Sequence, residues 1–161
     1  MDSSLSQDPL KRLEYLIGHW KSRAEDQFGE KGVIEGTFDC SHSPSGNCIA
    51  MIGESRSEGK LVNSAATYLI WDHNIRRYVR KSIYSYGWIL NEVGDLKGDR
   101  LVLDVVSIDG EPDYFRGTKW RSFIQKYSDN EIGTGLEVAK ADGPFKPYGE
   151  SRARRIPSST R

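Results

Sequence analysis

Trp20-Lys21-Ser22-Arg23-Ala24-Glu25-Asp26-Gln27-Phe28 changes character at every step. Trp20, Ser22, Ala24 and Phe28 fall on one face of an extended chain, and Lys21, Arg23, Glu25 and Gln27 on the other. Successive side chains of a strand point to opposite faces, so this stretch reads as a strand with one dry and one wet side.

Working outward, the same period returns. Val33–Ser41 is predicted as a second strand, with Ile34, Gly36, Phe38 and Cys40 on one face, and Cys48–Arg56 as a third. Ser64–Trp71, Ile75–Tyr86, Trp88–Val93, Arg100–Ile108, Asp113–Tyr127, Glu131–Lys140 and Tyr148–Ile156 continue the series. Turn chemistry separates them: Gly29–Gly32, Ser43-Pro44-Ser45-Gly46-Asn47, Asp72-His73-Asn74, Asp95–Asp99, Asp109-Gly110-Glu111-Pro112 and Ala141-Asp142-Gly143-Pro144. Upstream, Pro9–Ile17 reads as one short helix, capped by Asp8, with Leu10, Leu13, Leu16 and Ile17 on one side. These elements predict an all-β fold: a single antiparallel up-and-down β-barrel of about ten strands with a short N-terminal helix. Consecutive tight turns favour the meander over a Greek key, and closure removes the exposed edges.

Composition sets the outer bounds. The 161 residues fit one domain, with residues 1–8 as a flexible N-terminus, 9–156 as the barrel and 157–161 as a flexible tail. Acidic and basic residues balance at 23 each, which leaves no electrostatic footprint for nucleic acid or an anionic membrane. No basic start leads into an apolar run, and no stretch approaches the roughly 18 apolar residues of a membrane span. A cytoplasmic location is the default expectation, and two cysteines do not make a disulfide framework.

Leu16-Ile17-Gly18-His19-Trp20, following a short helix, resembles the Gly-x-Trp opening of calycin barrels such as lipocalins, fatty-acid-binding proteins and nitrobindins. Tyr68–Val79 and the ending from Asp142-Gly143-Pro144-Phe145 into a basic last strand resemble a lipocalin-like family whose domain has no assigned function. The resemblance spans roughly Leu10 to Ile156 and implies a barrel around a cavity. In lipocalins the motif tryptophan packs under an arginine from the last strand, so the resemblance implies a structural cap of Trp20 with Arg152 or Arg154. Nitrobindins hold haem through a late histidine. Here the histidines are His19, His42 and His73, so that position is unfilled and no cofactor is expected.

Several local groups invite chemistry. Cys40, His42 and Cys48 offer three ligands where structural zinc wants four. The favoured reading is a pair of buried thiols facing each other across a hairpin, with a disulfide next and no metal site. No nucleophile elbow and no glycine-rich phosphate loop is present.

The richer pattern is aromatic and charged. Tyr78, Arg80, Ser82, Tyr84 and Tyr86 alternate on one strand, and Tyr114, Arg116, Thr118, Trp120 and Ser122 on another. Facing inward, they make an aromatic lumen in which an arginine needs a carboxylate from Glu54, Asp104, Glu137 or a ligand. Facing outward, they are an ordinary wet ladder, because a one-residue slip exchanges the two faces.

The expected function is binding of a small apolar or aromatic molecule by Phe38, Tyr84, Trp88, Tyr114, Arg116 and Trp120, with an anionic group held by Arg116. The alternative is a cofactor-free cyclase, isomerase or hydratase, with Glu54, Asp104 or Tyr84 as general acid or base. If Glu54, Asp104 and Glu137 all face solvent, that enzyme loses its base. A third reading is a homodimer formed through an exposed aromatic patch.

Overall fold

The computed structural model describes residues 8–110 and 116–157. Ten strands form one closed antiparallel barrel: β1 (Gly18–Glu25), β2 (Val33–His42), β3 (Cys48–Ser57), β4 (Lys60–Asp72), β5 (Arg77–Tyr84), β6 (Ile89–Lys97), β7 (Arg100–Asp109), β8 (Thr118–Ser128), β9 (Glu131–Lys140) and β10 (Lys146–Ile156). Each pairs with its neighbours in sequence. β1 and β10 close the ring in a register running from His19 opposite Ile156 to Arg23 opposite Arg152. The expected meander is therefore the observed fold.

Differences from the sequence reading have local causes. Pro9–Leu16 is a 3₁₀ helix, and its buried residues Leu10, Leu13 and Leu16 recur every third position. That spacing fits a helix of three residues per turn better than one of 3.6. Asp8 caps it by accepting from the Leu10 amide at 3.1 Å. Asp95 belongs to β6 rather than to a turn, because Arg77 on β5 donates to both of its oxygens, at 3.3 and 2.9 Å. β5 stops at Tyr84, where the Tyr84 amide donates to the Trp88 carbonyl and starts the hairpin turn. Phe28 leaves the β1 face altogether. It sits at φ 58° in the loop after β1.

The helix and the short turns after β2, β4, β6 and β8 gather at one end of the barrel. The loops after β1, β3, β5, β7 and β9 gather at the other. The helix end is packed solid. Leu10, Leu13 and Leu16 meet Trp20, Ile49, Leu69 and Ile132 in a buried core. Tyr78 reaches down from β5 and donates from its hydroxyl to the Pro9 carbonyl at 2.8 Å, which ties the helix to the wall.

Trp20 is fully buried there, and its indole N–H donates to the Leu16 carbonyl at 2.8 Å. The arginine above it is Arg155, 4.4 Å from the ring centroid, and neither Arg152 nor Arg154. Arg155 also donates to the carbonyls of Tyr15, Ile17 and Asp129. Strand alternation gives the reason: Ala153 is wholly buried facing in, so Arg155 faces in and Arg152 and Arg154 face out. Arg152 instead binds Glu131 and Glu150 and covers the Tyr127 ring on the outer wall.

The two cysteines do not face each other. Cys40 pairs with Met51 and Cys48 with Ile70, and the residues that pair across this hairpin put Cys40 on the inner face and Cys48 on the outer. Both are free thiols. Among the described residues no group of three or more His, Cys, Asp or Glu is placed to hold a metal.

Candidate functional site

Above the packed core the lumen is hollow. A cavity of about 580 Å³ opens toward the loop end. This lies within the ~300–1,000 Å³ typical of small-molecule sites. Small residues make the room: Ala24 from β1, Gly36 from β2, Gly53 from β3 and Ala65 from β4 all border it. Phe38 forms part of the floor, stacked on Trp20 with ring centroids 6.2 Å apart, so the cavity rests directly on the core.

On β5 the inner face is Tyr78, Arg80, Ser82 and Tyr84. Tyr78 belongs to the core, while the other three line the cavity. Behind Arg80 stands Glu92 of β6, its direct cross-strand partner and wholly buried. Arg80 Nε donates to Glu92 Oε2 at 2.6 Å and Nη2 to Oε1 at 2.7 Å. Ser122 of β8 joins them, accepting from Arg80 Nη2 at 2.5 Å and donating to Glu92 Oε1 at 2.6 Å. Burial pulls the Arg80 pKa down, but the charge and hydrogen bonds of Glu92 outweigh it, so the net direction is up. One step higher, Thr67 donates to the Ser82 hydroxyl at 3.0 Å. Burial pushes the Tyr84 phenol above its ordinary range, so it stays protonated at neutral pH.

The mouth is aromatic. Tyr84 and Tyr86 stack at 5.2 Å, and Trp88 meets Tyr86 edge-on at 4.7 Å. Opposite, the β1–β2 loop folds over the rim. Tyr148 donates to the Phe28 carbonyl at 3.1 Å, and the Gln27 side chain accepts from the Glu150 amide at 3.1 Å. Phe28 lies so close to Gly149 that a Cβ there would strike its ring and backbone.

The expected site residues separate in space. Phe38, Tyr84 and Arg80 share the cavity lining. Trp88 reaches the rim through Tyr86. Trp120 shares the strand face of Ser122 but packs edge-on against Tyr148 at 5.0 Å, away from the cavity lining. Arg116 is exposed in the turn before β8, so the lumen arginine is Arg80. Tyr114 lies outside the described residues.

Of the carboxylates expected to face Arg116 or to act as a base, Asp104 and Glu137 are turned outward, while Glu54 borders the cavity with its carboxylate engaged by a neighbouring arginine. Glu54 pairs with Arg56 at 2.8 Å, Asp104 with Arg121 at 2.9 Å and Glu137 with Arg100 at 2.9 Å. Glu92 takes the role expected of them. None of the histidines lines the cavity: His19 contacts Asp39, His42 contacts Glu14, and His73 is exposed in a turn. Outside the barrel, Ile52, Tyr68 and Ile83 of β3, β4 and β5 stand exposed on one wall.

Closed meander, N-terminal helix, buried tryptophan under a last-strand arginine and hollow upper half define a calycin, lipocalin-like barrel fold. No protein-family model matches the chain, and no curated protein matches it in sequence. Two solved structures share the fold. Rv2717c from M. tuberculosis is 18% identical, with a TM-score of 0.64 over 92% of this chain and 97% of that one. The S-type phycobiliprotein lyase CPES from Guillardia theta is 12% identical, with a TM-score of 0.55 over 96% of each chain. At these identities the likeness is one of fold. No helix among the described residues is long and apolar enough to cross a membrane.

Proposed function

We propose that the barrel domain, residues 9–156, binds one small aromatic molecule in the upper half of its lumen. The observation that carries this is the cavity of about 580 Å³ under an aromatic mouth, floored by Phe38 and the Arg80–Glu92 pair. The lining mixes apolar surface from Phe38, Met51 and Leu136 with hydroxyls from Thr67, Ser82 and Ser122. Such a wall suits a flat molecule with a few polar substituents better than a purely apolar one.

Proton-transfer catalysis has less support. A general base needs a group free to accept a proton, and burial keeps the cavity phenol of Tyr84 protonated. Asp104 and Glu137 are engaged outside the lumen, Glu54 borders the cavity but is paired with Arg56, and both Glu92 oxygens are occupied by Arg80 and Ser122. The lyase activity named for one similar barrel does not carry over at 12% identity.

Fluorescence titration with aminoanthracene, a neutral fluorescent arene, tests the reading. Saturable one-to-one binding is expected, lost in Ala65→Trp, which fills the lumen. Absence of binding, or binding unchanged in that variant, contradicts it.

A further inference from the structure

We infer that the lumen ligand is an uncharged aromatic molecule with a carbonyl oxygen that accepts hydrogen bonds from Arg80 Nη1. This rests on the lumen-binding reading and specifies its ligand class.

The argument begins with a count of donors. A guanidinium carries five N–H groups in a fixed fork. Glu92 and Ser122 take the Nε proton and both Nη2 protons. The two Nη1 protons meet no acceptor among the described residues, and Nη1 is not sealed from solvent. Arg80 itself borders the cavity. A pair of charged, preorganised donors therefore faces the hollow. An apolar occupant that displaced water from them would leave them unsatisfied, which costs free energy that an oxygen acceptor restores.

A second donor stands nearby. Tyr84 lies on the same inner face of β5 as Arg80 and Ser82 and lines the same cavity. Tyr84 keeps its proton, because burial raises its pKa. Arg80 and Tyr84 thus flank the part of the cavity where a ligand oxygen would sit.

Charge then selects between oxygen types. The Arg80 charge is already matched by Glu92, which is wholly buried and contacts both Arg80 and Ser122. A ligand carboxylate would have to shed its water and then lie beside Glu92 in a low-dielectric site, where like charges repel strongly. A ketone or amide oxygen takes the same hydrogen bonds without that repulsion. Phe38 and the stacked Tyr84–Tyr86 pair supply flat surface for the rest of the molecule.

The test displaces aminoanthracene from the unmodified protein with three naphthalenes of matched size: acetylnaphthalene, isopropenylnaphthalene and naphthoate. Acetylnaphthalene is expected to bind about tenfold more tightly than either of the others. In Arg80→Lys, which keeps the charge but loses the fork, that preference should collapse. Should Arg80→Lys fail to fold, Tyr84→Phe supplies the second comparison, and its preference should narrow several-fold. Equal affinity for the acetyl and isopropenyl compounds overturns the inference while leaving lumen binding intact. Tightest binding by naphthoate overturns it too, in favour of an anion site. If aminoanthracene itself does not bind, the lumen reading falls and the inference with it.

Discussion

Arg80 and Glu92 face each other across the β5–β6 hairpin inside the barrel, and Arg80 donates to both oxygens of the Glu92 carboxylate, at 2.6 and 2.7 Å. Removing water from two charges costs several kcal/mol per ion, and only close geometry with further hydrogen bonds offsets it. Breaking one partner leaves the other charged and buried. Glu92→Leu should therefore destabilise the fold by about 3–5 kcal/mol, whereas the double variant Arg80→Met/Glu92→Leu should return to within about 2 kcal/mol of the parent. Urea unfolding of the three proteins checks this. A double variant no more stable than Glu92→Leu would show that the pair is not coupled in this way.

The cap predicts a contrast between two arginines three residues apart. Arg155 covers Trp20 and donates to three backbone carbonyls at the helix end. Hydrogen bonds from a charged donor contribute about 1.5–3 kcal/mol where buried, so Arg155→Ala should cost about 2 kcal/mol or more. Arg152 makes its ion pairs on the half-exposed outer wall, and Arg152→Ala should stay within about 0.5 kcal/mol of the parent. Thermal melts of both variants distinguish the roles.

Both thiols should be inert in the folded protein. Burial, aided by Asp39 and only partly offset by Arg155, pushes Cys40 up to about 12. Burial also raises Cys48. The thiolate is the reactive form, so a thiol reagent at pH 8 should label neither cysteine until denaturant is added, and then both. Because the side chains lie on opposite faces of the sheet, non-reducing mass analysis should show no internal disulfide.

Tyr15 gives an alkaline prediction. Its hydroxyl is buried without a hydrogen-bond partner among the described residues. Burial, then the charge of Asp99, raises its pKa from the ordinary 10.0 to about 12. Between those values the unfolded chain has lost this proton and the folded chain keeps it, so stability falls as pH rises through the window. Tyr15→Phe should flatten that slope and, by removing an unsatisfied polar group, raise stability at neutral pH by on the order of 1 kcal/mol. Denaturant midpoints between pH 8 and 12 would show it, and a parallel slope in both proteins would count against this origin.

Much of the barrel was legible because alternation survives wherever one face is wet. Glu131–Lys140 has the same bounds in sequence and structure. The candidate site was harder to read for physical reasons. On β6, Leu90, Glu92, Gly94 and Leu96 face in while Ile89 and Val93 face out, so apolar content does not mark the inner side. The signal that would have found Glu92 is hairpin register. Arg80 and Glu92 lie equally far on either side of Tyr86, which fixes them as partners once the turn is placed there. Arg155 was obscured by its neighbours Arg152 and Arg154, although the small apolar Ala153 between them marks the inner parity.

The most direct test of the central claim is to map where a neutral arene binds, by titrating isotopically labelled protein with acetylnaphthalene and following backbone amide shifts. The account predicts perturbations on the lumen side of the upper barrel, at Ser22, Ala65, Ser82 and Thr134. Shifts confined to the outer wall around Ile52, Tyr68 and Ile83, with the lumen positions unmoved, would contradict it.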